Sequence, residues 1–355
     1  MEIVALVVGA TGIAGRGVSQ ELIACGARVY GLSRKAEGLV HGVTHVAADL
    51  TNAEGVKKAV AGLKPTHVYF TTWSRQANEE ENIKVNAGAV RTLLDAVGPA
   101  RSVVHVALVT GLKHYLGPFD AYLRSGTLPL MPVREEQPRL DIPNFYYAQE
   151  DEVYAAAARD GFTWSVHRPH TIIGKAIGNA MNMGSTLAAY ASICKETGRK
   201  FKFPGSAAQW NGLSDMTDAH ILGKQLVWAS TQDFAKNNAY NIANGDIFRW
   251  NWMWPRIAKW FGVEWEGFTG EVTPLEAQMA DDAEVWKRIV EKHGLVESDL
   301  ARVASPWHTD LDLSRPIEVM TDMAASRKRG FAVYQNTEGA FHDLFAELRA
   351  DKVIP

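Results

Sequence analysis

Cysteine is nearly absent: Cys25 and Cys194 are the only two in 355 residues, far apart and without metal-ligand spacing. That spacing argues against a disulfide framework or a zinc site and for a reducing compartment, with both thiols read as small buried hydrophobes. No uninterrupted apolar run approaches the roughly 18 residues of a membrane-spanning helix. The start, Met1-Glu2-Ile3-Val4-Ala5-Leu6-Val7-Val8-Gly9, lacks the basic opening and small-residue cleavage site of a secretory signal. A soluble, cytoplasmic chain is expected. Charge of one sign is missing as well: 37 Lys and Arg against 40 Asp and Glu give a net charge of -3. So balanced a surface suits neither nucleic acid nor a polybasic membrane anchor, and both are set aside as partners. Internal repeats and low-complexity linkers are also lacking.

What is present is core material. With 46% apolar and 22% charged residues the chain can bury a large interior, as one big domain or two intimate ones. Eleven tryptophans are present, and Trp250, Trp252, Trp254, Trp260 and Trp265 crowd one stretch as core or as a pocket wall. Short β-branched runs at Ile3–Val8, Arg28–Leu32, Val43–Ala48, His67–Phe70, Val103–Val109 and Phe162–Val166 alternate with helical periodicity at Gly12–Cys25, Ala53–Gly62, Ala87–Val97 and Phe145–Arg159. Such alternation predicts an α/β fold, a doubly wound parallel sheet of Rossmann type covered by helices on both faces. After Pro169 the rhythm breaks into helices near Ser185–Glu196, Ala219–Ala229 and Trp254–Trp260 among Gly- and Pro-bearing loops. The expected division is a nucleotide-binding domain over 1–170, rejoined around 216–244. A smaller, mostly helical substrate-binding region would cover 171–215 and 245–355.

Directly after the first strand stands Gly9-Ala10-Thr11-Gly12-Ile13-Ala14-Gly15, with a helical pattern behind it. At such a turn Gly9 takes backbone angles closed to other residues, Gly12 lets the main chain approach a pyrophosphate, and Gly15 lets helix and strand pack closely. The helix start then offers N–H groups and partial positive charge to phosphate. A glycine pattern alone is weak; its place between strand and helix points to dinucleotide binding. About 20 residues on, where an NAD-binding protein commonly carries an acid, the second strand ends in Ser33-Arg34-Lys35. A guanidinium and an ammonium there suit a ribose 2′-phosphate, favouring NADPH/NADP⁺ over NAD(H). Asp49-Leu50, closing the third strand, meets the adenine edge or, in the plainer reading, Asp49 caps the following helix. The expected cofactor contacts are Gly9, Thr11, Gly12, Ile13, Gly15, Ser33, Arg34, Lys35, Asp49, Leu50, Thr71, Thr110, Lys113 and Tyr146.

Two further segments are more specific. Thr110-Gly111-Leu112-Lys113-His114-Tyr115-Leu116-Gly117-Pro118-Phe119 and Asn144-Phe145-Tyr146-Tyr147-Ala148-Gln149-Glu150-Asp151 resemble the TGxKHYxGPF and NFYYxxED signatures of the progesterone 5β-reductase and iridoid synthase-like enzymes, an atypical branch of the extended short-chain dehydrogenase/reductases. Trp164-Ser165-Val166-His167-Arg168-Pro169 and the ending from Ala340-Phe341 to Pro355 carry the likeness to the rest of the chain. Ordinary short-chain dehydrogenases set a lysine four residues after the catalytic tyrosine, one helical turn along. Here Glu150 and Asp151 occupy those positions, and the resemblance implies that Lys113, from the strand end, supplies the cation. It also implies that Tyr146 acts, with Tyr147 the alternative, since neighbours on a helix diverge by about 100°. His114, Tyr115 and His167 are read as structural.

The resemblance implies reduction of the carbon–carbon double bond of an α,β-unsaturated carbonyl, with hydride from NADPH to the β-carbon and the Tyr/Lys pair stabilising the enolate. Apolar surface of the tail is expected to hold a small hydrophobic enone: Phe341, Met183 and Trp210, with Met181, Asn182 and Trp250 as further candidates. A nucleotide-sugar epimerase or dehydratase, or another carbonyl reductase of the same superfamily, is the second reading, and a non-enzymatic NADP sensor the third. The oligomeric state stays open, a homodimer being one option.

Overall fold

Val4–Val8 (β1) is a run of five apolar residues, four of them wholly buried, as a strand covered on both faces requires. Around it the computed structural model, which describes residues 2–117, 128–179 and 181–355, builds two units. The first unit comprises Met1–His170, Ala219–Ile242 and Thr321–Val333. Its elements run α1 (Ile13–Ala24), β2 (Arg28–Ser33), β3 (Thr44–Ala47), α2 (Ala53–Val60), β4 (His67–Phe70), α3 (Glu79–Val97), β5 (His105–Val109), α4 (Lys113–Leu116), α5 (Phe145–Asp160), β6 (Thr163–Pro169), α6 (Ala219–Thr231) and β7 (Asn238–Ile242). The strands form one sheet in the order β7-β6-β5-β4-β1-β2-β3, with every neighbouring pair parallel. The fold is therefore of Rossmann type, and the strand order reverses between β1 and β4. Ligands of such sheets bind outside the carboxyl ends of the strands at that switch point.

The two sheet faces differ in chemistry. Leu6, Val8, Val68, Phe70, Val106, Leu108 and Val166 pack with α2, α3 and α5 into an apolar core. The other face of β4, β5 and β6 presents His67, His105, Ser165 and His167, all buried. His67 Nδ1 meets Thr66 Oγ1 at 2.9 Å, and burial of the other three is tolerated because a continuous hydrogen-bonded row joins them. Thr163 Oγ1 meets His105 Nδ1 at 2.9 Å, Ser165 Oγ bridges His105 Nε2 (3.0 Å) to His167 Nε2 (2.9 Å), and Gln225 Oε1 of α6 lies 2.8 Å from His167 Nδ1.

Two elements depart from the sequence reading. The third helix begins at Glu79 rather than Ala87, because Asn78 caps it by accepting from Glu81 N at 2.9 Å and Glu79, Glu80 and Glu81 complement the helix dipole. The sixth strand continues past Val166 to Pro169, since His167 and Arg168 find buried partners that their polarity alone does not announce. Cys194 is buried, but Cys25 is exposed, a correction to the expectation: it closes α1 at its last turn, where the chain leaves the core.

The second unit comprises Thr171–Asp218, Ala243–Met320 and Tyr334–Pro355. It is mostly helical, and its core is aromatic: Trp250, Trp254, Trp286, Phe201, Phe203, Phe341 and Phe345 are all wholly buried. Trp254 stacks on Phe201 with centroids 4.0 Å apart and donates its indole N–H to the Phe201 carbonyl at 2.9 Å. Trp252, 40% exposed, lies under the Arg256 guanidinium instead, so the tryptophan-rich stretch divides between core and surface. Among the described residues no helix is long and apolar enough to cross a membrane.

Candidate active site

The carboxyl ends of β1, β2, β4 and β5 gather the residues that the sequence singled out. Gly9 has φ +81°, and a Cβ there would stand 2.6 Å from Thr72 Cβ. A Cβ on Gly15 would lie 2.1 Å from the Gly9 carbonyl, so both positions need glycine for the turn to close against the helix. Gly12 is the N-cap of α1 and brings no side-chain cap, and no acidic residue stands in the first turn. A helix start of this kind favours a negative group near it. Thr71 fastens the end of β4 to β1, its hydroxyl donating to the Val8 carbonyl at 2.7 Å.

Beyond β2, Ser33 donates to the Lys35 carbonyl at 2.7 Å, which folds the turn so that Arg34 and Lys35 are exposed. Arg16, missed in the sequence, reaches from the first turns of α1 to the Gly38 carbonyl and braces this loop. A basic residue just after the third glycine was the available signal. Asp49 is exposed and accepts from Thr51 N (2.9 Å) and Thr51 Oγ1 (2.8 Å), which, with Arg34 nearby, hold its carboxyl below the usual carboxylate range. The cap of α2 is Asn52, which accepts from Gly55 N at 2.9 Å, so Asp49 is not that cap. Leu50 beside it is half-buried.

The two signatures meet at the end of β5. Thr110 N donates to the His167 carbonyl at 2.8 Å and carries the chain into Gly111 and the four-residue helix α4, whose first residue is Lys113. Pro118 and Phe119 of this signature lie outside the described residues. Tyr146, 7% exposed, directs its ring at this turn: a Cβ on Gly111 would stand 3.3 Å from the Tyr146 hydroxyl. Asn144, also missed, couples the two segments. Its Oδ1 accepts from Tyr146 N at 3.0 Å, capping α5, while its Nδ2 donates to the Lys113 carbonyl at 2.8 Å. One carboxamide thus sets the register of lysine against tyrosine. The half-buried Lys113 ammonium lies 5.1 Å from the ring centres of both Trp73 and Phe145, contacts worth roughly 0.5 to 2 kcal/mol each.

Tyr147 is occupied differently. Its hydroxyl donates to the His114 carbonyl at 2.5 Å and accepts from Leu140 N at 2.9 Å. Burial raises its pKa above the ordinary tyrosine value. It ties down the loop that bears Lys113. Glu150, one turn beyond Tyr146 where the superfamily commonly has lysine, is buried and accepts from Arg139 (2.8 Å) and Arg168 (3.3 Å). Burial pushes its carboxyl up, but His114, Arg168 and Arg139 outweigh that and hold it below the usual glutamate range. His114 Nδ1 stands 3.7 Å from Glu150 Oε1, longer than a hydrogen bond, and burial lowers its pKa.

The proposed substrate residues belong to the second unit. Phe341 and Met183 were expected on ligand-facing surface; they are 0% and 1% exposed, in the aromatic core beside Trp250 and Phe345, because the sequence could not tell which helix face they occupy. Trp210 is half-buried against Phe203, ring centres 4.8 Å apart.

Comparison with known proteins adds the following. A family model described as a PRISE-like Rossmann-fold domain matches residues 38–355. The (S)-8-oxocitronellyl enol synthase of Nepeta racemosa is 35% identical, with 100% of this chain and 94% of that protein covered. The 3-oxo-Δ(4,5)-steroid 5-β-reductase of Arabidopsis thaliana is likewise 35% identical, with the same shares covered. Among solved structures, the UDP-glucose 4-epimerase of Thermotoga maritima superposes with a TM-score of 0.67 at 13% identity, covering 98% of this chain and 99% of that one. At that identity the likeness is one of fold.

Proposed function

Because the chain belongs to the PRISE-like Rossmann-fold family, we propose that it is an NADPH-dependent reductase of the carbon–carbon double bond of α,β-unsaturated carbonyl compounds. The observation that supports this reading is Asn144, which ties the backbone of Lys113, beyond the end of β5, to the backbone of Tyr146, in the first turn of α5. The site's donor set fits a dinucleotide. A turn that Cβ atoms would fill and an uncapped helix start leave room and polarity for the pyrophosphate, while exposed Arg34 and Lys35 supply paired positive charge for a 2′-phosphate.

When bound, the reduced nicotinamide supplies hydride to the β-carbon of the enone. The protein's own task is then electrostatic. Negative charge accumulates on the carbonyl oxygen, and the Tyr146 hydroxyl donates a hydrogen bond to it. The Lys113 ammonium strengthens that donor by favouring the phenol's charged form. The α-carbon receives its proton from solvent. Glu150 cannot serve as the usual lysine does, being an anion held by two guanidiniums, and this speaks against an epimerase using the tyrosine-plus-four arrangement. The substrate is read as a small hydrophobic enone.

Stopped-flow absorbance with a panel of small enones, such as 2-cyclohexen-1-one, and simple ketones tests the reading, NADPH and NADH being run in parallel. Enones should be reduced at the double bond with NADPH preferred. Reduction of ketones alone would overturn the assignment, and equal use of NADH would remove the role given to Arg34 and Lys35.

A further inference from the structure

The lysine of this site sits on a helix of only four residues, not on the helix that carries the tyrosine. Asn144 holds its backbone carbonyl, but a four-carbon stem with free rotation separates that carbonyl from the charge. Two aromatic rings flank the ammonium. Trp73, on the loop leaving β4, and Phe145, first residue of α5, lie with ring centres 4.8 Å apart and planes inclined by 31°. The ammonium is 5.1 Å from each centre.

Both walls are rigidly mounted. Buried Asn86 of α3 accepts from Ser74 N at 2.7 Å and donates to the Ser74 carbonyl at 2.9 Å, fixing the loop immediately after Trp73. Phe145 is wholly buried, and its N–H donates to Glu79 at 2.7 Å. Its ring also packs on Tyr146, centre to centre 4.4 Å.

We propose that Trp73 is a positioning residue: packed on Phe145, it gives the Lys113 ammonium an aromatic flank to rest against at the start of the tyrosine's helix. Aromatic rings attract an ammonium electrostatically. This flank, supplied by the loop after β4 and by α5, takes over the positional control that a lysine one turn along the tyrosine's own helix would have.

The kinetic arm of the test rests on the function proposed above; the spectroscopic arm does not. Lysines of the full chain are reductively methylated with ¹³C-formaldehyde, and the Lys113 dimethylammonium signal is assigned with Lys113→Arg. In the native protein that signal should be displaced upfield from the other lysines by the two rings. Trp73→Leu should return it towards the solvent-exposed envelope, and Trp73→Phe should keep most of the displacement. In parallel, Trp73→Leu should slow single-turnover enone reduction about tenfold, a loss of the size expected for one cation–ring contact, with NADPH affinity changed less than about twofold. Trp73→Phe should recover most of the rate, which a merely space-filling role would not predict. A native Lys113 signal inside the solvent envelope, or identical rates for the leucine and phenylalanine variants, would overturn the positioning role of Trp73. A displaced signal in a protein that reduces no enone would instead uphold the aromatic flank and defeat the function.

Discussion

At the scale of single residues, the neighbouring tyrosines carry opposite expectations. Tyr147 has its hydroxyl bonded at both ends, to the His114 carbonyl and the Leu140 amide, whereas the Tyr146 hydroxyl is directed at Gly111 where β5 ends. Tyr146→Phe should lower turnover by about 10² to 10³, the usual cost of one donor to a developing oxyanion, with NADPH affinity nearly unchanged. Tyr147→Phe should cost about 1 to 3 kcal/mol of stability, since a buried carbonyl and a part-buried amide lose their partner, while turnover of the folded fraction falls far less. Denaturant titration and steady-state assays on the two variants check both, and the reverse pattern would transfer the chemistry to Tyr147. The pair itself was legible in the sequence. Which member acts was not, because that depends on what the end of β5 and the loop before α5 bring against each ring.

At the scale of elements, the crossing of α1 and α6 is set by backbone contact. A Cβ on Gly17 would stand 2.1 Å from the Ala219 carbonyl and 3.1 Å from Ala219 Cβ. Gly17→Ala must push the helices apart and should destabilise by about 3 kcal/mol, visible as a melting temperature several degrees lower. Gly88→Ala in α3, where no atom lies within 4 Å of the new methyl, should instead be neutral or stabilising by about 0.5 kcal/mol. Equal effects of the two substitutions would refute the contact argument. The glycine loop could be placed from sequence because strand, turn and helix are contiguous there. Gly17 could not be singled out, because its partner lies some 200 residues on.

At the scale of the whole molecule, the buried histidine row predicts the response to acid. Burial lowers His67 and His167 to about 4, and His105 also lies well below the ordinary histidine value. Their unfolded pKa is near 6.5, so between about 6.5 and 4 the unfolded chain binds more protons. Stability is full above the unfolded value and is lost as the pH falls through this window, by up to about 3 kcal/mol for each group displaced to 4. Urea midpoints measured from pH 7.5 to 4.5 should fall steadily below about 6.5; a flat profile down to 5 would show that these histidines are not held neutral. The alternation of β-branched runs and helical periods, the glycine turn and the two signatures determined a parallel sheet of Rossmann type with tyrosine and lysine at its carboxyl edge, because those properties are written in contiguous residues. The tertiary structure alone decided that the ammonium rests against the packed rings of Trp73 and Phe145, that Asn144 joins the two signatures, that Glu150 is neutralised by Arg139 and Arg168, and that Phe341 and Met183 are core. Each of these depends on distant segments meeting and on which face of an element is covered, and neither spacing nor composition carries that information.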